Sequence, residues 1–385
     1  MDQRKRFLII GGGIAGLTTA IALRQQGFEA EVYEAAPELK EAGAGLGVGS
    51  NALKAMRVLG LEEKLLERSL ILSSATFIDD KGHLITRTDS APADGGLDPD
   101  NVIIHRTELL HLLADALPPE AIKTNKKCLG FAELDHGGVA VRFEDGSTAE
   151  ADGLIAADGI HSGIRLRVQP NAVPRYAGYT CWRAVVEGPQ GGIDPVFMAI
   201  WGSRGRFGYA PLPGNRVYWF AVLNSMPSNP AYMYFDTRDL GLRFAGYPAP
   251  VGELLERTEN SVVLHNDIYD LKPLSRFAYG AVVLVGDAAH ATTPNLAQGA
   301  AQAMEDAVVL ARCLADGQPT VQEAFRRFEQ LRLARTRRVV ALSRRLGRMA
   351  QLESQLMCSL RNRLLRAMPA RLAGRQLQFL RDVPF

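Results

Sequence analysis

The side chains that could do chemistry gather in three short stretches between residues 11 and 300. The first is Gly11-x-Gly13-x-x-Gly16, which follows an apolar run from Phe7 to Ile10 and opens into a helical pattern through Leu17, Ala20, Ile21 and Leu23. A pyrophosphate cradle needs a bare turn at Gly11, close backbone approach at Gly13 beside Ala15, and tight helix–strand packing at Gly16. The first N–H groups of the helix supply the donors. A second apolar strand, Ala30 to Tyr33, ends at Glu34 and Ala35. An acid at that place accepts hydrogen bonds from the two ribose hydroxyls of an adenosine and repels a 2′-phosphate. Strand, helix and acid in this order predict a dinucleotide site rather than an ordinary βα turn.

The second stretch, Ala157 to Arg165, leaves an apolar strand and carries Asp158, Gly159, Ser162 and Arg165. Gly159 permits a tight turn, and Arg165 can pair with a carboxylate or phosphate. The third begins at Gly286-Asp287 and continues through Pro294, Asn295, Gln298, Gly299 and Ala300 into a helix of small residues. Asp287 ends an apolar strand, where a carboxylate must find donors or sit at the edge of solvent. The alternative for Asp287 is a helix cap. His290, close behind that strand, reads as a structural or cofactor-adjacent histidine rather than a base.

These stretches need a scaffold. The 385-residue chain is 47% hydrophobic and 22% charged with net charge +2, as expected of a globular enzyme with two domains or one elaborated domain, and it has no charge excess that would draw nucleic acid. Cys128, Cys181, Cys313 and Cys358 form no CxxC pair and no His/Cys cluster, which argues against zinc and disulfides and fits a reducing cytoplasm. The basic start runs directly into the first strand, so no signal peptide is read, and no apolar run is long enough to span a bilayer. The pattern predicts βαβ over the first 60 residues, then a glycine-rich segment (43–49) and a helix over 51–59. Short strands between 70 and 104 surround a soft loop at 89–100. A helix over 107–116 is capped by Thr107. A meander covers 129–143 with its turn at 144–147, and a buried strand lies at 154–157. Aromatic-rich strands follow at 180–186, 196–201, 207–210 and 217–222. A parallel-type strand at 281–285 precedes helices over 299–315 and 320–348. One GxGxxG fingerprint occurs, so no separate nicotinamide domain is expected.

GGGIAG at 11–16 with Glu34, ADGIHSGIR at 157–165, and GDAAH at 286–290 with TTPNLAQGAAQAMEDA resemble the class A, single-component FAD-dependent aromatic hydroxylases of the para-hydroxybenzoate hydroxylase type. His105-Arg106-x-x-Leu109 is similar to the family segment whose arginine reaches FAD. The resemblance spans nearly the whole chain. It implies an α/β FAD-binding Rossmann-like, three-layer domain (1–70, 101–177 and 271–348) with an inserted α+β antiparallel-sheet substrate domain (71–100 and 178–270). A helical C-terminal tail (349–385) completes the chain. It implies tight, non-covalent FAD held by Gly11, Gly13, Ala15, Gly16, Glu34, Ala35, Arg106, Leu129, Asp158, Gly159, Arg165, Gly286, Asp287, Pro294, Gln298, Gly299 and Ala300. NAD(P)H would be a transient co-substrate visiting near Asp158 and Arg165, and O2 the oxidant. A flavin hydroperoxide would pass one oxygen to a small aromatic or N-heterocyclic substrate. An epoxidase or oxidase acting on a larger apolar substrate, and a nonenzymatic FAD-binding protein, are the alternatives. The protein is expected to be a monomer or homodimer.

The substrate wall is expected from Leu46, Val48, Tyr179, Trp182, Met198, Arg206, Tyr209, Tyr218, Phe220 and Pro294, with Arg206, Tyr218, Pro294 and Asn295 nearest the chemistry. Arg206 and Tyr218 resemble the arginine and tyrosine of FAD-dependent urate hydroxylases. Those enzymes have aspartate in a TTPD run where this chain has Asn295, and an amide neither takes a proton nor carries negative charge. Another phenol or N-heterocycle is therefore favoured over urate. In the tail, Leu360, Leu364, Leu365, Met368, Leu372 and Leu377 alternate with Arg361, Arg363, Arg366, Arg371 and Arg375, and Pro369 interrupts the run. The expectation is that it docks on the flavin domain with its basic side in water, rather than on a membrane.

Overall fold

The computed structural model describes residues 4–39, 43–90, 101–135, 137–317, 319–368, 377–383 and 385. Most of the soft loop at 89–100 and the tail residues Pro369, Arg371, Leu372 and Arg375 lie outside them.

Phe7 to Ile10 are all buried, which for one strand requires neighbours on both sides and cover on both faces. β1 (Arg6–Ile10) accordingly lies between β2 (Glu29–Tyr33) and β12 (Gly153–Ala156), parallel to both. β8 (Ile122–Lys123), β19 (Val282–Leu284) and an antiparallel β18 (Ala278–Tyr279) complete a six-stranded sheet in the order β18-β19-β12-β1-β2-β8. α1 (Ile14–Gln25) packs against α9 (Gly299–Ala315), and α10 (Val321–Ala350) adds Phe325 and Phe328 to the same core. A meander of β9 (Cys128–Glu133), β10 (Val139–Phe143) and β11 (Thr148–Ala151) contributes Val139, Val141 and Phe143, whose ring stacks on Tyr33. Helices, parallel sheet and meander are the three expected layers.

A seven-stranded sheet forms the second unit. Its order is β17 (Leu264–Leu271), β13 (Pro174–Glu187), β16 (Arg216–Asn224), β15 (Gly205–Leu212), β14 (Val196–Gly202), β5 (Ser74–Asp79) and β6 (Leu84–Asp89). One face is covered by α6 (Thr237–Arg243) and α7 (Val251–Glu256) through Leu240, Val251 and Leu254. The small sheet β3 (Gly45–Gly49), β7 (Asn101–His105) and β4 (Ser69–Ile71) packs Leu70 and Ile103 against Ala210 and Leu212 of the large one. α2 (Ser50–Val58), α3 (Glu62–Glu67), α4 (Arg106–Asp115), α5 (Gly163–Val168) and α8 (Asp287–His290) fill the connections.

Three local expectations change. The glycine-rich segment is a strand, β3, because β7 supplies it with a full antiparallel partner. The helix expected from Thr107 begins at Arg106 with His105 in the cap position, so Thr107 lies in its first turn. The tail departs most. α11 (Gln355–Ala367) docks on the substrate sheet, where Leu365 meets Ile85 and Trp201, and not on the flavin domain. It turns Arg361 inward, where the guanidinium donates to the carbonyls of Met349, Ala350 and Trp201. Met349 and Ala350 end α10, and their carbonyls have no partner within that helix. Satisfying them draws the arginine in and leaves Leu356, Leu360 and Leu364 outside. Among the described residues, 377–383 and Phe385 return to the flavin domain, where Arg335 of α10 donates to the carbonyls of Phe379, Leu380 and Asp382 and Phe385 packs on the core. Among the described residues no helix is long and apolar enough to cross a membrane.

Candidate active site

The three sequence-distant stretches touch through their glycines. A Cβ placed on Gly11, whose φ is +109°, would lie 2.3 Å from the carbonyl oxygen of Ala157, and one on Gly286 (φ +56°) would lie 2.7 Å from Ala15 Cβ. A side chain at either point would push the first stretch off the second or the third. Glu34 is held at the lip: its Oε2 accepts from Gly12 N–H at 2.6 Å and its Oε1 from Ala36 N–H at 2.8 Å. Both oxygens keep lone pairs for ribose hydroxyls. Asp287 has an exposed side chain at the start of α8, with Oδ1 4.0 Å from where a Gly299 Cβ would stand. Surrounding protein pushes its pKa up, opposed by the charges of His290, Arg106 and Arg165. Asp158 is likewise raised by desolvation, and its buried Oδ1 has no partner among the described residues, while Oδ2 accepts from Ile164 N–H. A bare glycine cradle, two poised carboxylates and the open first turn of α9 at Gly299 and Ala300 suit a polyhydroxylated, diphosphate-bearing cofactor. The residues fit FAD.

Two expected cofactor contacts change role. Arg165 is fully buried, and its guanidinium donates to the carbonyls of Ala172, Gly159, Ile160 and Ala288. It ties the second stretch to the third and is not available to a phosphate or to nicotinamide. Gln298 turns its side chain inward, accepting from Asn51 and Gln302, so only its backbone remains at the loop. Leu129 is exposed on β9, next to Cys128, which feels the charge of Asp158. Ala35 and Pro294 are exposed beside Glu34 and at the head of the third stretch. Behind the site lies a buried cluster: Arg332 binds Glu305 and Asp306, and Asp306 also accepts from Gly286 N–H and lies 2.6 Å from His290 Nε2. His290 is thus structural, as its sequence position suggests.

On the substrate side, period-2 alternation sorts the candidates. Pairing across β13, β16 and β15 places Tyr179, Cys181, Arg183, Tyr218, Phe220, Arg206, Gly208 and Ala210 on one face. That face meets the flavin domain. Trp182, Met198 and Tyr209 have the opposite parity and pack with α6 and α7; Trp182 stacks on His265. These three are core, not pocket. Leu46 and Val48 are corrected for the same reason. They point into the flavin-domain core, while Gly45, Gly47 and Gly49 look toward Tyr218, Ala297 and Gln298. Arg183 went unanticipated. The signal for it was its spacing from Tyr179 and Cys181.

Arg206 anchors this face. Its Nη1 donates to Asn295 Oδ1 at 2.9 Å, its guanidinium lies 5.4 Å from the Tyr179 ring centroid, and its buried Nε has no partner among the described residues. Asn295 has no freedom to turn, because its Nδ2 donates to Tyr179 OH, Thr293 Oγ1 and the Ser343 carbonyl. α10 reaches this network because residue 347 is glycine: a Cβ there would stand 2.5 Å from Asn295 Nδ2. Burial lowers the Arg206 pKa and raises that of Tyr218, the latter opposed by Arg183 and Arg106. Arg183 carries a second buried Nε without a partner among the described residues and donates to Asn266. The wall therefore carries two guanidinium groups, each with an Nε–H free to donate.

A nucleotide cradle facing an aromatic, arginine-bearing sheet, with no second nucleotide fold among the described residues, defines a flavoprotein monooxygenase architecture. The chain belongs to the family described as FAD binding domain, which it matches over residues 5–184 and 270–343. It is 35% identical over 361 residues to an aurachin C monooxygenase/isomerase of Stigmatella aurantiaca, covering 94% of each chain. It is also 35% identical over 375 residues to a 3-amino-4-hydroxybenzoate 2-monooxygenase of Streptomyces cremeus, covering 95% of this chain and 93% of that one. Among solved structures, Klebsiella pneumoniae HpxO complexed with FAD and uric acid superposes with a TM-score of 0.88 at 30% identity, over 98% of this chain and 97% of that one. The protein is an FAD-dependent monooxygenase.

Proposed function

We propose that the protein uses NAD(P)H and O2 to hydroxylate an electron-rich aromatic or N-heterocyclic small molecule that carries a strong hydrogen-bond acceptor. The observation that carries this reading is the buried Arg206, fixed by Asn295 on the cleft face of the sheet, with an Nε–H that has no partner among the described residues. Bound FAD would supply the electron chemistry, hydride acceptance from the nicotinamide and O2 activation. The chain's part is to bind, orient and exclude water. Gly11, Gly13, Gly16 and the start of α1 hold the diphosphate, Glu34 the ribose, and Asp287 with Arg106 the ribityl region. Arg206 and Arg183 orient the ring against Tyr218 and Phe220, and the apolar remainder of the face keeps the site dry. Nicotinamide approaches along Asp158 and Gly159. Asn295 leaves the arginine charge uncompensated, which favours a phenolate, a carboxylate or the oxo group of an N-heterocycle over the neutral ring alone. The four free cysteines support a reducing, cytoplasmic setting.

The test is a substrate panel scored for NAD(P)H consumption and for a product one oxygen heavier. Activated phenols and hydroxylated or oxo N-heterocycles should stimulate consumption and yield that product. Fast consumption indifferent to every compound would mean an NAD(P)H oxidase and would overturn the proposal.

A further inference from the structure

α11 wears its amphipathicity inside out. The face it lays on the protein carries Cys358, Arg361, Asn362 and Leu365, three of them buried. The face it shows to solvent carries Leu356, Leu360 and Leu364, which are 78%, 49% and 62% exposed and spaced four residues apart along one stripe. Met357 and Leu84, 47% and 52% exposed, widen the patch; Arg366 reaches the Leu84 carbonyl and so fixes that turn beside the helix. The exposed Arg363 and Arg366 flank the stripe, Arg366 also pairing with Asp79 at 3.1 Å. Leucine at this exposure costs solvation that a helix facing only water would avoid with polar residues.

Charge identifies what should cover it. From Gln355 to Arg381 the sequence has six arginines and no acidic residue, whereas the rest of the chain has 38 basic and 42 acidic side chains. Of these six, Arg363 and Arg366 border the leucine stripe on the described surface, while Arg361 is turned inward. A second copy of the chain is a poor occupant, because a two-fold interface would set these arginines against their own images. An anionic bilayer answers both features: leucines enter the headgroup boundary while flanking guanidinium groups meet lipid phosphates. We propose that α11 is a reversible docking helix for an anionic membrane surface. This stands independently of the substrate assigned above.

The test is cosedimentation of the FAD-loaded, full-length protein with phosphatidylglycerol-containing vesicles and with pure phosphatidylcholine vesicles. The proposal expects binding to the former, weakened at high salt, and little to the latter. Binding should fall at least about tenfold in a Leu356→Ser, Leu360→Ser, Leu364→Ser variant, and about fivefold or more when Arg363→Glu reverses one flanking charge. Both changes lie on exposed positions, and an unchanged melting temperature confirms that each variant is folded. Absent sedimentation with phosphatidylglycerol vesicles at low salt, or binding that both variants retain, overturns the proposal. So does a concentration-dependent dimer that the leucine variant dissolves, which would assign the patch to a second copy.

Discussion

Replacing Asp287 by asparagine separates cofactor binding from folding. The carboxyl stands at the start of α8, exposed yet crowded, with its pKa raised chiefly by desolvation. A charged acceptor to a ribityl hydroxyl contributes about 1.5–3 kcal/mol, so its loss should weaken FAD binding roughly tenfold to 150-fold. Apoprotein stability should move the other way. A carboxyl whose folded-state pKa is raised contributes its stability below the ordinary value of 3.8 and loses it as pH rises through the raised value. At pH 7 the wild-type apoprotein bears that cost and Asp287→Asn does not; near pH 3.8 and below, the two should converge. The assay is fluorescence titration of apoprotein with FAD, paired with thermal melts of both apoproteins at neutral and acid pH. Unchanged FAD affinity would refute the cofactor assignment. Affinity and apoprotein stability falling together would show that Asp287 is a helix cap.

The remaining predictions probe the substrate face and the framework behind it. Gly347→Ala should displace the Asn295 amide, whose Nδ2 would lie 2.5 Å from the new Cβ, and lower kcat/KM at least about tenfold while FAD content stays at wild type. Tyr218→Phe should change KM or coupling of NAD(P)H consumption to product, whereas Tyr209→Phe, on the opposite face, should change neither; steady-state kinetics with a stimulating compound compares them. Arg332→Ala removes the buried cation shared by Glu305 and Asp306, leaving Arg335 and His290 as their charged partners, and should cost about 3 kcal/mol in urea unfolding, with loss of FAD following loss of fold. Removal of residues 350–385 should lower the melting temperature, because Arg361 then no longer satisfies the end of α10.

The cofactor half of the site was legible because its signals are local. Gly11, Glu34, Asp158 and Asp287 each sit at the end of an apolar strand, and parallel strands bring such ends to one edge of a sheet. Arg165 was misread because a sequence shows a guanidinium but not the carbonyls of Ala172 and Ala288 that come to surround it. On the substrate side the strands were evident but their phase was not applied across them. Arg206 and Phe220 share the face that meets the flavin domain; Tyr209, one residue out of phase with Gly208, and Trp182, out of phase with Tyr179, lie on the other. The same parity shows why Gly45 and Gly47, and not Leu46 and Val48, border the cleft. The tail was read by its leucines interleaved with arginines. Its orientation was decided instead by unsatisfied carbonyls at Met349 and Ala350, contacts that no periodicity encodes.

The most direct test of the central claim is isotope incorporation. Protein loaded with FAD is given NAD(P)H and a compound that stimulates its oxidation under an atmosphere of 18O2, and the product is weighed by mass spectrometry. The account predicts one 18O atom in the product ring and none when 18O is supplied only as water. Stoichiometric hydrogen peroxide with no labelled product from any stimulating compound would contradict it.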